Sequence, residues 1–278
     1  MLVIGAIASV QSGAAVATKL FPAVGAGGAV FLRLAVSALL VVVLVRPNHR
    51  KHAATELRLV VVFGIVLAAM NTLFYLSLDR IPLGVAVTVE FLGPLGVAVA
   101  GSRRPRDFLW VALAAVGVTL LASGGGHLNT VGLVFAASAG ACWAGYILVS
   151  QRVGRAFPGM SGLAFALLVG ALFTAPYGIA VGGTALVRPG VLGKGAAIAV
   201  LSSAVPYSLE LAALRRLRAA VFGVLMSLEP AMAALSGFVF LGQHLQLHEW
   251  LAVGCVMVAS IGATTKGATI ETPAEVLA

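Results

Sequence analysis

The chain has 278 residues, of which 60% are hydrophobic and 10% charged, and its formal net charge is +9. A soluble domain of this size would be about a quarter charged, so the composition excludes an ordinary soluble protein and indicates one embedded in lipid. The positive charge does not indicate a nucleic-acid partner, because the basic residues are grouped in alternate loops and form no single patch.

Ten membrane-spanning helices are predicted, since a span needs about 20 mostly apolar residues. In chain order they cover residues 2–20, 25–45, 58–78, 83–101, 108–123, 131–150, 159–181, 195–214, 218–241 and 249–266. The connections are a few residues long, so no soluble domain fits and every activity must lie among the helices.

Most Lys and Arg residues follow the even-numbered spans. Cytoplasmic loops carry an excess of basic residues, so these loops and both termini are predicted to be cytoplasmic. Span one begins almost at Met1, without the charged lead of a signal peptide, and is therefore interpreted as a retained helix. Residues 267–278 are predicted to form a short cytoplasmic tail.

An internal repeat joins residues 68–101 to residues 204–237, with identities at roughly nine of about 34 aligned positions. Spans three and four therefore correspond to spans eight and nine, and the repeating unit has five helices. Because five is odd, the second copy must enter the bilayer from the opposite face, as in many secondary transporters. The predicted fold is all-α, with inverted five-helix halves at 1–123 and 131–266, a linker at 124–130 and a central cavity.

Four charged side chains lie at predicted membrane depth: Arg33, Glu90, Glu210 and Glu229. A central charge costs about 2.5–3.5 kcal/mol on insertion scales, so such residues are functional candidates by default. A structural role is the alternative for two of them. Arg33 would pair with Glu229 or Glu90 and hold helices in register, and Glu210 would pair with Arg215–Arg216 at the cytoplasmic surface.

Glu90 and Glu229 are the preferred candidates for proton coupling, because burial penalises the charged form of a carboxylate that lacks a full partner. Each lies close to a proline in its helix, Pro94 or Pro230. A proline removes a backbone hydrogen bond and can bend or open a helix. The alternative is that both prolines only shape packing.

The polar residues of several spans share one helix face, since residues three or four apart are neighbours on a helix. Together they could bind a zwitterionic amino acid, with a carboxylate facing its ammonium, polar groups around it and Trp143 as an apolar wall. The predicted substrate-binding residues are Gln11, Asn71, Tyr75, Glu90, Trp143, Tyr146, Tyr207 and Glu229. Taken singly, each aromatic residue could instead serve only packing.

Enzymatic motifs are incomplete. Gly159–Gly162 contains a serine, Ser161, in a setting reminiscent of intramembrane serine proteases, but all five histidines fall in predicted loops and none can activate it. The sequence has neither a His-Glu-x-x-His helix nor a phosphate-binding Gly-x-x-x-x-Gly-Lys loop. Cys142 and Cys255 form neither a disulfide framework nor a zinc site. No enzymatic activity, cofactor or metal is predicted.

Several motifs closely resemble the bacterial threonine/homoserine exporters of the EamA branch of the drug/metabolite transporter superfamily. They are Phe-Tyr-Leu-Ser-Leu at 74–78, Val-Glu-Phe-Leu-Gly-Pro at 89–94, Ser-Arg-Arg-Pro at 102–105, Gly-Ala-Cys-Trp at 140–143, Ala-Val-Pro-Tyr-Ser-Leu-Glu at 204–210 and the stretch from Leu225 to Gly237. The resemblance implies ten helices in two inverted halves, in the inner membrane, and export of small amino acids driven by the proton-motive force.

Two features depart from that family. The short cytoplasmic lead usual before span one is missing here, and Gly242-Gln243 stands where Gly-Glu is common. Export of another metabolite, such as a purine, an aromatic amino acid or a cationic drug, is the alternative within transport, since buried carboxylates suit cations as well as zwitterions. A membrane-embedded enzyme is the alternative outside it. Transport direction, stoichiometry and oligomeric state are not encoded in these motifs.

Overall fold

A computed structural model describes residues 1–47, 53–100, 108–123, 128–157, 159–206 and 219–266, with Leu209, Ala213 and Leu217 between the last two ranges. Throughout these residues the chain is helical and contains no strand. The helices are α1 (Leu2–Thr18), α2 (Phe21–Val45), α3 (Ala54–Leu78), α4 (Leu83–Glu90), α5 (Leu92–Ala100), α6 (Phe108–Ser123), α7 (Thr130–Ala156), α8 (Ser161–Gly182), α9 (Pro189–Ala199), α10 (Ala219–Met226), α11 (Glu229–Leu241) and α12 (Leu247–Lys266). A 3₁₀ turn at Gly183–Val187 precedes α9, and a π-helical turn at Val200–Ala204 follows it.

Seven helical segments in the described ranges are long and apolar enough to cross a membrane, and two shorter apolar helices accompany them at Leu2–Thr18 and Phe108–Leu121. Large hydrophobic side chains such as Leu44, Leu172 and Val239 are exposed on the outside of the bundle. Lipid is the solvent that tolerates such a surface, so the chain is a multi-pass membrane protein. The count of ten spans stays a prediction.

Small residues allow the helices to pack closely. Helix α2 lies along α8, α3 along α7, and α6 along α12. A Cβ atom on Gly178 of α8 would lie 3.0 Å from the carbonyl oxygen of Gly27 in α2, and one on Gly64 of α3 would lie 2.7 Å from that of Ala166 in α8. Close backbone approach over small residues is typical of helix contacts in membranes, where lipid supplies no hydrophobic driving force between helices.

Two of the predicted spans are interrupted. Span four is divided at Phe91 into α4 and α5, and span nine is divided between Met226 and Glu229 into α10 and α11. Pro94 follows the first break and Pro230 the second, and a proline offers no N–H to the carbonyl four residues before it. The freed carbonyls belong to Glu90 and Met226, which are equivalent residues of the internal repeat.

The first interruption lies directly against the backbone of α7. A Cβ atom on Gly93 would overlap the carbonyl group of Gly140, and one on Gly140 would lie 2.6 Å from the carbonyl oxygen of Glu90. No side chain fits at either contact. This glycine pair therefore determines how close Glu90 comes to α7.

Gln243 joins the loop after α11 to the start of α4. Its Oε1 accepts a hydrogen bond from the backbone N–H of Leu83 at 2.9 Å. The first N–H groups of a helix have no partner within the helix, so this side chain satisfies one of them. Gln243 is the residue that replaces the glutamate common in the resembling family, and either side chain offers the oxygen that this contact requires.

Replacing Gln243 by alanine is expected to lower the stability of the folded protein by about 1 kcal/mol, because the Leu83 N–H loses its acceptor. Thermal unfolding of the purified protein in detergent would measure this as a lower midpoint. Gln246→Ala is the matched control, since Gln246 lies in the same loop with an exposed side chain. Gln243→Glu should keep the wild-type midpoint, and equal midpoints for both alanine variants would show that the contact contributes nothing.

Candidate functional site

A cavity of about 110 Å³, lined by both charged or polar and apolar side chains, lies between helices of both predicted halves. Its lining comes from α1, α2, α3, α4, α7 and α11, and consists of Val10, Gln11, Ala14, Arg33, Met70, Asn71, Phe74, Val87, Glu90, Trp143 and Glu229. A single water needs about 10–15 Å³ of such volume. The cavity therefore has room for several waters or a small solute.

The cavity brings together five of the eight predicted substrate-binding residues, namely Gln11, Asn71, Glu90, Trp143 and Glu229. They come from five different helices. The structure thus assembles at one place side chains that lie more than two hundred residues apart in the chain, as Gln11 and Glu229 do.

The carboxylates of Glu90 and Glu229 lie at helix ends created by the two interruptions. Glu90 is the last residue of α4 and is 8% exposed, while Glu229 is the first residue of α11 and is 6% exposed. The charge of Glu229 repels that of Glu90, and the charge of Arg33 attracts it. Within the described part of the chain, the Glu90 side chain forms no hydrogen bond.

Arg33 reaches the cavity from α2 and is held by Tyr75. Its Nη1 donates a hydrogen bond to the Tyr75 hydroxyl at 3.4 Å, and its Cζ lies 5.6 Å from the centre of the Tyr75 ring. The ion pair expected between Arg33 and Glu90 or Glu229 is not formed among the residues that the structure describes. Tyr75 takes that place as an uncharged partner.

Tyr75 itself does not line the cavity. Its side chain is fully buried, and its ring packs against the rings of Phe21 and Phe74, with centroids 5.8 and 6.2 Å away. Tyr146 is also set apart from the cavity lining and stacks on Phe63 at 4.8 Å. Neither tyrosine lines this cavity, and each ring packs against other aromatic rings.

Gln11 and Asn71 supply amide groups to the cavity wall. Gln11 is 3% exposed, and its Oε1 has no hydrogen-bond donor among the described residues. Asn71 is 4% exposed, and its Nδ2 donates to the carbonyl oxygen of Leu67 at 2.8 Å. Buried acceptors are nearly always paired, so the Gln11 oxygen is a position where a ligand or water would donate.

Trp143 forms part of the apolar wall, and its ring meets the ring of Phe91 edge to face at 5.6 Å. Tyr207 and Glu210 lie outside the described residues, so their predicted roles stay predictions. Among the His, Cys, Asp and Glu side chains that the structure describes, no group of three or more could hold a metal ion.

The remaining lining residues were missed by sequence reasoning, and all are apolar: Val10, Ala14, Met70, Phe74 and Val87. Each lies one or three positions from Gln11, Asn71 or Glu90 along its helix. Residues three apart share a helix face, so spacing from the polar residues would have identified Ala14, Phe74 and Val87. It would not have identified Val10 and Met70, because adjacent residues do not share a face.

Comparison with known proteins gives four consistent findings, one family model and three relatives. The model of the EamA-like transporter family matches residues 130–265. The chain is 47% identical to the threonine/homoserine exporter RhtA of Escherichia coli strain K12, over 95% of this chain and 90% of that protein. It is 46% identical to RhtA of Salmonella typhimurium strain SL1344, over 93% and 88%. It is 28% identical to the uncharacterized transporter YwfM of Bacillus subtilis strain 168, over 83% and 81%.

A crystal structure of another protein has the same fold. The two chains are 18% identical, superpose with a TM-score of 0.64, and are each covered to 98%. At this level of identity the likeness concerns the arrangement of helices alone.

Proposed function

Because this chain belongs to the EamA-like transporter family, we propose that it exports threonine and homoserine across the bacterial inner membrane in exchange for protons. It is a membrane transporter and not an enzyme, as its sequence predicted. The observation that carries the proposal is the cavity lined by Arg33, Glu90 and Glu229, in a chain that matches named threonine/homoserine exporters over nearly its whole length.

The proposed architecture has ten spans in two inverted halves, 1–123 and 131–266, joined at 124–130. The helix contacts support it. Equivalent spans of the two halves pack on each other: α2 on α8, α6 on α12, and span four on span nine through α4 and α11. Other contacts occur in reciprocal pairs, α3 with α7 and α9 with α1, or α3 with α8 and α9 with α2. Reciprocity of this kind is what a two-fold axis produces.

The proposed orientation has both termini in the cytoplasm and the 267–278 tail on the same side. Its support is the grouping of basic residues after the even-numbered spans, since such residues favour cytoplasmic loops. Inverted halves around one central site allow alternating access by movement of one half against the other.

The cavity offers the groups that a small hydroxylated amino acid needs. Glu90 and Glu229 can pair with the ammonium, and Gln11 can accept a hydrogen bond from the ammonium or the side-chain hydroxyl. Trp143 and Phe74 can cover the aliphatic part. A carboxylate that holds a proton cannot pair with an ammonium, so protons and substrate compete for the same group. That competition is the requirement for antiport.

Uptake into proteoliposomes with an acidic lumen tests this function. Protons leaving the lumen should drive labelled threonine inward. Each exchange of one proton for a zwitterion moves one net charge, so the membrane potential is held at zero with equal K⁺ on both sides and valinomycin. Threonine would then accumulate about tenfold for each pH unit, since one unit is worth about 1.4 kcal/mol. Unlabelled homoserine should compete, whereas a purine should not.

Liposomes without protein and an ionophore that collapses the proton gradient are the controls. Accumulation that persists when the ionophore is added would refute proton coupling. It would not affect the assignment of threonine as the substrate. If folded and correctly reconstituted protein shows neither uptake nor exchange of threonine, the assignment of threonine as the substrate is wrong.

A further inference from the structure

We infer that Arg33 binds the carboxylate of the transported amino acid and that Tyr75 positions it for this contact. The inference rests on the proposed function and deepens it. Its starting point is that Arg33 lines the cavity and reaches no carboxylate within ion-pair distance in the described part of the chain. A structural arginine in the membrane would be expected to pair with an acidic residue, since an unpaired charge at this depth is costly.

Tyr75 holds the guanidinium without neutralising it. The hydroxyl accepts one hydrogen bond from Nη1, and the ring lies near Cζ at cation–π distance. A guanidinium has five N–H donors in a planar fork, so one bond to Tyr75 leaves donors for a ligand. The buried ring of Tyr75, fixed between Phe21 and Phe74, restricts where the fork can point.

A carboxylate is the ligand that matches this group. Two parallel N–H donors of arginine bind both oxygens of a carboxylate, which gives geometric selectivity as well as affinity. Glu90 lines the same cavity and attracts Arg33 electrostatically across it. The cavity therefore presents one guanidinium and two carboxyl groups, those of Glu90 and Glu229, to a single small solute. An α-amino acid, with its carboxylate and its ammonium, can satisfy groups of both kinds.

The same arrangement discriminates against other cargo. A cationic drug would meet Glu90 and Glu229 favourably, yet it would also bring its charge close to Arg33. An amino acid derivative without its carboxylate would leave the guanidinium desolvated and unpaired, which is penalised in a buried site. Arg33 thus determines specificity for the carboxylate end of the substrate.

The test compares threonine with threoninamide, which keeps the ammonium and the hydroxyl but lacks the carboxylate. Both are added as competitors of labelled threonine exchange in proteoliposomes that contain the full chain. The wild-type protein should prefer threonine by on the order of 10- to 100-fold, the range expected for hydrogen bonds to a charged group. In Arg33→Gln this preference should fall to about threefold or less, and Arg33→Lys should recover part of it.

Tyr75→Phe examines the positioning role. It keeps the ring and removes the hydroxyl, so the preference for threonine should fall by about threefold while exchange continues. Tyr177→Phe, on the outer part of α8, is the matched control and should keep the wild-type ratio. A ratio of competitor affinities is unaffected by how much protein folds, so it separates positioning from a loss of stability.

Two results would overturn the inference alone: an Arg33→Gln protein that keeps the wild-type preference, or a wild-type protein that binds threoninamide as tightly as threonine. The second result is available even if the Arg33 variants fail to fold. A wild-type protein that exchanges no threonine would instead overturn the proposed function, and the inference with it.

Discussion

Replacement of Glu90 by glutamine is expected to separate threonine exchange from the proton gradient. Glutamine keeps the size and polarity of the side chain but cannot gain or lose a proton. Loss of one charged contact to the ammonium should weaken threonine binding by about tenfold. At saturating threonine the variant should still exchange labelled for unlabelled substrate, because exchange moves no net proton.

The measurement that separates these effects is the steady-state accumulation ratio. With an imposed gradient of about one pH unit, the ratio should fall from about tenfold in the wild type to about one in Glu90→Gln, where threonine only equilibrates. Glu229→Gln is expected to behave in the same way, since both carboxylates line the cavity and repel each other.

Glu56→Gln provides the matched control for both variants. Glu56 lies at the start of α3, where its Oε2 accepts a hydrogen bond from the Ala53 N–H at 3.0 Å. Glutamine offers the same oxygen, so this variant should accumulate threonine as the wild type does. If Glu90→Gln and Glu229→Gln both accumulate threonine and remain sensitive to ionophore, the proton is carried by another group.

The convergence of Gln11, Asn71, Glu90 and Glu229 was foreseeable from the sequence. Lipid penalises an unsatisfied polar group by several kcal/mol, so polar residues in apolar helices must face a shared interior. Helical periodicity then predicts which polar residues of a helix lie on one face. The predictions of ten spans and of two inverted halves come from the same kind of local reasoning about length, charge and identity, and they stay predictions.

The partner of Arg33 was not foreseeable in this way. Asn71 and Tyr75 are four residues apart and share a face of α3, yet Asn71 lines the cavity while Tyr75 is enclosed by Phe21 and Phe74 one turn further along. Periodicity gives the direction of a side chain, whereas its depth relative to another helix depends on how the helices cross. The pairing of Arg33 with Tyr75 is a property of that crossing.

Helical periodicity likewise could not have predicted the contact between Gly93 and Gly140 at the first helix break. A large loss of stability is expected when this contact is obstructed. Gly93→Ala should prevent α5 from reaching its place against α7, because the new Cβ atom would overlap the backbone of Gly140. A backbone obstacle cannot rotate away, so the cost should be at the high end of the range for overpacking, about 3 kcal/mol. Folded yield and the unfolding midpoint in detergent should both fall.

Displacement of α5 from α7 in Gly93→Ala should also reduce threonine transport. A Cβ atom on Gly140 would lie 2.6 Å from the backbone carbonyl oxygen of Glu90. Glu90 on α4 and Trp143 on α7 both line the cavity, so moving α7 away from the break should change the distance between them. Any Gly93→Ala protein that still folds should therefore lose gradient-driven accumulation of threonine more completely than it loses stability. Gly140→Ala is expected to have both effects, since it obstructs the same contact from the opposite side.

Gly96→Ala is the control for a general effect of replacing glycine by alanine in α5. Gly96 lies in the same helix, α5, and a Cβ atom there meets no atom within 4 Å. Alanine in a helix interior is favoured over glycine by roughly 0.5–1 kcal/mol, so this variant should unfold at or above the wild-type midpoint and transport normally. If Gly93→Ala and Gly96→Ala were equally stable, α5 would not lie against α7 at Gly140, and the break at Phe91 would not be what places Glu90 in the cavity.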